Sequence, residues 1–255
     1  MSTSAKVRQG EILELAHTSG LASVEELSER FGVTASTIRR DLSRLTSEGK
    51  IARTYGGAMA LNGQVVESTF RQRNKQSTAA KRAIARVARS MVDPGQTILL
   101  DSGSTVAALA HELRDSSNLT VATTSLVVLD ELADAEEVHV ECIGGTLRHS
   151  SAAFVGPLAE YCLDRMSFDI VFLGADGVTP SAICEADLVQ TRLKEKMTTR
   201  ATKVVVLADS SKLNQTPFHA WAQLPAQWIL VTNSEAPREQ IKPFEDSGVT
   251  VHLAP

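Results

Sequence analysis

Apolar residues recur at helical spacing through the first sixty positions. Ile12, Leu13 and Leu15 mark a stripe between about Lys6 and His17, and Gly20 interrupts it. The run from Ser23 to Glu26 has the form of a capping box, in which the Ser23 hydroxyl accepts from the Glu26 amide and the Glu26 carboxylate reaches back. A second helix is therefore expected from Val24, with Leu27 and Phe31 on one side and Gly32 in the left-handed position that ends it. Thr34 suits the N-cap of a third helix, which Gly49 ends. At 100° per residue, Ile38, Leu42 and Leu45 of this third helix fall within about 60° of one another, a buried stripe. Its opposite side carries Ser36, Arg40, Ser43 and Ser47, with Thr37, Arg39 and Arg44 on the flanks. Helix, glycine turn and helix form a helix-turn-helix arrangement. After Gly49, the loosely alternating Lys50 to Tyr55 runs into Gly56 and Gly57 and predicts a short hairpin with a basic tip, a wing.

From Thr78 the pattern changes. A helix is expected to about Met91, followed by short apolar runs at 97–101, 119–123, 138–142, 169–173, 203–208, 228–231 and 249–252. Helical stretches such as 105–113 and 188–200 lie between most of them. Strands alternating with helices predict an α/β domain with a mainly parallel sheet covered on both faces. Residues 59–75 lack a clear period. The chain thus divides into a winged helix-turn-helix domain at 1–60, a linker at 61–76 and an α/β domain at 77–255.

Ligands of such sheets bind beyond the carboxyl ends of the strands, so the residues that follow each strand are the candidates. The first is followed by Asp101, Ser102, Gly103, Ser104 and Thr105, a small hydroxyl-rich turn opening a helix, suited to a phosphate. The second is followed by Thr123, Thr124 and Ser125, the third by Gly144 and Gly145, and the fourth by Gly174, Ala175, Asp176 and Gly177. The fifth is followed by Asp209 and, three residues on, Lys212. Arg148 offers a further cation. These five ends are expected to share one effector pocket.

Charge sharpens the picture of the N-terminal part. The net charge is -4, but residues 1–60 hold eight Lys/Arg against seven Asp/Glu, and the remainder holds 18 against 23. Arg39, Arg40, Arg44, Lys50 and Arg53 cluster within fifteen positions. Nucleic-acid binding responds to such a local field rather than to the whole-chain sum. Hydroxyls beside arginines let a helix approach phosphates and base edges closely, and arginine forks to guanine. The expected DNA-binding residues are Thr34, Ser36, Thr37, Arg39, Arg40, Ser43, Arg44, Lys50, Arg53 and Tyr55.

Composition excludes other classes. No run approaches the roughly 20 apolar residues that cross a bilayer, and the N-terminus lacks the apolar core of a secretory signal. Cys142, Cys162 and Cys184 form no CxxC pair, which argues against a zinc site or disulfide framework and suits a reducing cytoplasm. No strand is followed by GxGxxG, so no dinucleotide cofactor is expected.

The ordered set Val24, Leu27, Phe31, Val33, Thr34, the run Thr37-Ile-Arg-Arg-Asp-Leu42, Leu45, Gly49, Arg53 and Gly56-Gly-Ala58 resembles the N-terminal winged helix of the DeoR family of bacterial transcription regulators. The C-terminal part resembles that family's effector domain, similar in fold to ribose-5-phosphate isomerase. The matching pieces are Arg73, Lys81, Asp101 to Thr105, Thr123 to Ser125, Gly144-Gly145, Gly156, Gly174 to Gly177, Lys194 and Asp209 to Lys212. The resemblance implies a repressor of a sugar or polyol operon. It would bind double-stranded operator DNA as a homodimer or homotetramer, and its effector would be a phosphorylated sugar or polyol. One departure is Thr124, where the family commonly has Asn; losing the amide alters the ligand or its orientation. The rival reading is a sugar-phosphate isomerase with an appended DNA-binding domain, using Asp101, Asp176 or Asp209 as acid or base and Lys212 as electrophile. The isomerase pattern has an acidic residue where Gly177 stands, so the pocket is expected to bind without turnover.

Overall fold

The computed structural model describes residues 5–19, 22–47, 51–54, 57–60 and 67–255, and the chain divides into two compact units, 1–68 and 69–255. In the first, α1 (Ala5–Ser19), β1 (Ala22–Ser23), α2 (Val24–Phe31) and α3 (Ala35–Ser47) precede a hairpin of β2 (Ile51–Thr54) and β3 (Gly57–Ala60). The capping box forms as expected: the Glu26 amide donates to Ser23 Oγ at 3.1 Å, and the Ser23 amide donates to Glu26 Oε2 at 2.9 Å. Gly32 ends α2 at φ 60°, a conformation that suits a residue without Cβ. Thr34 accepts from the Thr37 amide at 3.4 Å and so serves the start of α3. Ile12, Val24, Leu27, Ile38, Leu42 and Leu45 are the buried core. The hairpin pairs Thr54 with Gly57, and β1, which the sequence pattern does not announce, adds a third strand in the order β1-β3-β2.

One buried polar contact fixes α3 on α1. Asp41 is 4% exposed, yet it accepts from Arg8 Nε at 2.6 Å and Gln9 Nε2 at 2.7 Å. Within the run Thr37-Ile-Arg-Arg-Asp-Leu42, the carboxylate therefore turns inward while Arg39 and Arg40 turn out.

The stretch expected as linker is divided. Residues 61–66 lie outside the described residues, and Phe70–Asn74 is a short helix, α4, with its own capping box from Thr69 and Gln72, inside the second unit. Then follow α5 (Thr78–Arg89), β4 (Thr97–Leu100), α6 (Ser104–Leu113), β5 (Leu119–Thr123), α7 (Leu126–Leu132) and β6 (Val138–Cys142). A small hairpin of β7 (Thr146–Arg148) and β8 (Ala153–Val155) leads to α8 (Pro157–Leu163) and β9 (Phe168–Leu173). The remainder is β10 (Gly177–Val178), β11 (Ala182–Glu185), α9 (Leu188–Thr199), β12 (Ala201–Leu207), β13 (Ala220–Gln223), β14 (Ile229–Asn233), α10 (Arg238–Asp246) and β15 (Thr250–Ala254).

Seven of these strands form one parallel sheet in the order β15-β14-β12-β9-β4-β5-β6. All seven were expected from the apolar runs. Successive residues point to opposite faces, so Ile98, Leu100, Ile170, Phe172, Val205 and Leu207 pack with α5, α6 and α7. Leu99, Val171, Leu173, Val204 and Val206 pack with α8, α9 and α10. Each fully buried Leu, Ile or Phe contributes about 1.5–3 kcal/mol, while exposed pairs such as Lys196 with Asp164 contribute about 0–1. The two apolar layers therefore hold the unit. From β4 the order runs one way to β5 and β6, and from β9 the other way to β12, β14 and β15. The strand order reverses between β4 and β9, and a crevice opens there at their carboxyl ends. A separate antiparallel sheet, β10-β11-β13, was not expected.

Asp41→Ala is expected to lower the stability of the N-terminal unit by about 3 kcal/mol, because it removes a partner of the buried Arg8. Thermal unfolding of the full chain checks this; an unchanged midpoint would mean the contact is inert.

Candidate functional site

The outward face of α3 is the first candidate surface. Ser36, Arg39, Arg40, Ser43 and Arg44 are exposed, and Thr37 is half-buried. Small side chains keep themselves out of the way: Ser43 Oγ donates to the Arg39 carbonyl at 2.7 Å, and the Thr34 hydroxyl bonds those of Ser36 and Thr37 at 2.9 and 3.0 Å. The backbone of Arg53 lies on β2, paired with Ala58. Lys50 and Tyr55 lie outside the described residues.

The second is a cleft at the carboxyl ends of β4, β9 and β12, walled also by β11, α9 and the connection from α4 to α5. Ser102, Gly103, Ser104, Thr105, Gly174, Asp176 and Lys212 line it, together with Arg73, Gln76, Ser77, Lys81, Glu185, Gln190, Lys194 and Asp209. Gly174 needs its missing side chain, since a Cβ there would stand 2.9 Å from the Ser102 carbonyl. Two helices begin at the cleft without a side-chain cap: α6 after Gly103 at φ 133°, and α5 after Ser77 at φ 49°. Their first amides have no intrahelical acceptor and carry the positive end of the helix dipole.

The cleft's charges are segregated. Arg73, Lys81 and Lys212 gather near Asp209. Lys81 is held by the carbonyls of Arg73 at 2.5 Å and Gln76 at 2.8 Å. Burial lowers its ammonium to about 8; Asp209 opposes the fall, and Lys212 and Arg73 deepen it. Elsewhere in the wall, Lys194 is 2% exposed and donates to Glu185 at 2.5 Å, to the Gly174 carbonyl at 2.6 Å and to Asp101, 3.0 Å away. Asp101 also accepts from the Gly174 amide at 3.1 Å. Burial pulls the Lys194 ammonium down, but the carboxylates of Asp101 and Glu185 outweigh it and hold the group charged. Burial likewise pushes Glu185 up to about 8, against Lys194 and with help from Asp176 and Asp101. One ammonium faces two carboxylates here, which favours the protonated form of Glu185.

Three strand ends contribute to the cleft in place of the five expected. Asp101, Thr123, Thr124, Ser125, Gly144, Gly145 and Gly177 do not line it. Thr123 donates to the Leu100 carbonyl at 2.7 Å, and Ser125 caps α7. Thr124 is fully buried with its hydroxyl unpartnered. Gly145 packs against β8, and a Cβ on Gly177 would collide with the Gln215 carbonyl. Arg148 reaches the wall indirectly, donating to Gln190 at 3.2 Å, which donates to Ser102 at 3.3 Å. Glu185 and Gln190 had no sequence signal, because they belong to β11 and α9 rather than to an end of the main sheet. Arg73 and Lys81 were visible only through the family resemblance.

Together, a winged helix with a basic outer face and an α/β unit with a polar cleft define a DNA-binding regulator with a small-molecule sensor. Two family models match: the DeoR-like helix-turn-helix domain over residues 8–64 and the DeoR C terminal sensor domain over 76–234. The chain belongs to the DeoR family and is a transcriptional regulator rather than an enzyme. It is 35% identical to the HTH-type transcriptional regulator GlpR of Haloferax volcanii, over 96% of each chain. It is 30% identical to the putative aga operon transcriptional repressor of Escherichia coli O157:H7, over 98% of this chain and 94% of that one. It is 29% identical to the glycerol-3-phosphate regulon repressor of Escherichia coli K12, over 96% and 98%. Among solved structures, ribose 5-phosphate isomerase a from Methanocaldococcus jannaschii is 22% identical, covering 54% of this chain and 55% of that chain at TM-score 0.41. No described helix is long and apolar enough to cross a membrane.

Lys194→Met is expected to destabilise the chain by about 3–5 kcal/mol, since it leaves buried carboxylates without their cation. The loss should be smaller at pH 5 than at pH 8. Glu185 has a folded-state value above its unfolded one, so its contribution is present at low pH and fades as pH rises through about 8. Thermal unfolding at both pH values checks this; an equal loss would place the charge elsewhere.

Proposed function

We propose that this regulator represses a sugar or polyol catabolic operon in the cytoplasm, and that a phosphorylated sugar or polyol binds in the cleft to control it. The observation that carries this is the convergence of two uncapped helix N-termini with Arg73, Lys81 and Lys212 at one cleft. Amides, dipoles and cations of this kind suit a phosphate. The relative named for the glycerol-3-phosphate regulon supports the same class of signal.

Arg39, Arg40 and Arg44, with Ser36 and Ser43, are assigned to the operator's major groove and its phosphates, and Arg53 with Lys50 and Tyr55 to the backbone beside it. The chain works as a homodimer or homotetramer, presenting recognition helices to half-sites roughly 34–36 Å apart. Exposed Leu158 and Tyr161 on α8 and Leu188 and Val189 on α9 supply apolar surface for self-association. The effector acts by binding the DNA-bound and DNA-free arrangements with different affinity.

A thermal-shift screen of phosphorylated sugars and polyols beside their unphosphorylated forms tests the sensor reading, because a ligand of the native state raises the midpoint. Hits are expected only among phosphorylated compounds, and their affinity should fall as pH rises past about 8, where Lys81 loses its proton. Hits confined to unphosphorylated compounds would overturn the assignment. For the DNA face, Arg40→Ala should weaken operator binding roughly ten-fold or more while the midpoint shift with ligand persists. Unchanged affinity in a mobility-shift titration would remove Arg40 from the interface.

A further inference from the structure

A file of three side chains runs from the small hairpin into the wall of the cleft. Arg148, the last residue of β7, donates from Nη1 to Gln190 Oε1 at 3.2 Å. Gln190, buried in the first turn of α9, donates from Nε2 to Ser102 Oγ at 3.3 Å. Ser102 lines the cleft just before α6 begins. Asp187 braces the file. Its carboxylate caps α9 by accepting from the Gln190 backbone amide at 2.8 Å, and it stands 3.7 Å from Arg148 Nε.

The direction of these bonds is set at the arginine. A guanidinium carries donors and no acceptor, so the carbonyl end of the Gln190 amide must face Arg148. The amino end then faces Ser102, where it can only donate. Ser102 Oγ is therefore the acceptor of that bond, and its own proton must go elsewhere. Ser102 is 3% exposed, yet among the described residues the acceptor for its proton is Asp101 Oδ1 at 3.5 Å. That is well beyond the roughly 2.7–2.8 Å typical of O–H···O bonds. The other oxygen of Asp101 is committed to the Gly174 amide and to Lys194. A buried hydroxyl with its acceptor side filled and its proton poorly placed is a donor ready for an oxygen in the cleft.

Given the effector-site reading above, we propose that Arg148 is a positioning residue for the effector. Without touching the ligand, its guanidinium orients Gln190, and Gln190 makes Ser102 donate to a ligand oxygen. The wall at Ser102 thereby selects an acceptor, such as a phosphate oxygen, over a group that only donates. The cation expected to meet a phosphate directly acts at two removes instead.

The test is calorimetric titration of the full chain with glycerol 3-phosphate, fructose 1-phosphate, fructose 6-phosphate and glucose 6-phosphate. The tightest binder is then titrated into Arg148→Met, Ser102→Ala and the double variant. Ser102→Ala should weaken binding roughly ten-fold or more, as for a lost bond to a charged group, and Arg148→Met by about three- to ten-fold. The double variant should bind no more weakly than Ser102→Ala alone, because an effect that passes through Ser102 has nothing left to act on. Arg148→Lys, whose side chain also only donates, should stay within about three-fold of wild type. Losses that add in the double variant overturn the proposal, since Arg148 would then act by another route. So does an Arg148→Met variant that binds as wild type, or an Arg148→Lys variant that binds as poorly as Arg148→Met. If Arg148→Met fails to fold, Gln190→Met takes its place in the cycle, and additive losses there overturn the proposal equally. If no compound of the panel binds the wild-type chain, the effector-site reading falls and the proposal with it, whereas additive losses leave that reading standing.

Discussion

A single buried ammonium organises the sensor unit. Lys194 stands on α9 and reaches the residue that follows β4, the backbone that follows β9 and the last residue of β11, through Asp101, Gly174 and Glu185. The two central strands, the small antiparallel sheet and a covering helix thus meet at one cation. Taking that charge out of water costs several kcal/mol, which is recovered only while all its partners are in place. The same atoms form the floor of the cleft, so the cleft's shape and the packing of α9 are one constraint rather than two.

The recognition helix divides its charges by the same logic. Asp41 follows two arginines in sequence, yet it is buried on Arg8 and Gln9, whereas Arg39 and Arg40 are exposed. A helix turns 100° per residue, so three adjacent charged residues face three directions. One fixes the helix to its support and two are left for the outside. The acidic residue gives the basic face its orientation by holding the opposite side.

Local signals carried most of the fold. The capping box at Ser23, the left-handed Gly32 and the stripe Ile38, Leu42 and Leu45 each depend on residues a few positions apart, and each appears where the spacing placed it. The seven strands of the main sheet were legible because both faces are buried and the runs are continuously apolar. The cleft was legible at Ser102 to Thr105, Gly174 to Asp176 and Lys212, which lie at the ends of adjacent strands, while Asp101 sits behind the wall on Lys194 and the Gly174 amide. It was not legible at β5 and β6, because strand order is a long-range property that no local pattern encodes. Thr123 and Ser125 look like ligand groups but serve the backbone of β4 and α7. Glu185 escaped for the opposite reason: the strands of its sheet are only two to four residues long, too short to give a periodic signal, and its partner Lys194 arrives from a helix.

The wall of the cleft draws on Arg73 early in the chain and Lys212 late in it, whereas the recognition helix is complete at Ser47. The ribosome adds about 5–20 residues per second, so the 165 residues from Ser47 to Lys212 take roughly 10–30 s to make. During that interval the recognition helix has been synthesised while the cleft lacks a wall. A cleft assembled from segments so far apart in the chain is therefore completed later than the recognition helix.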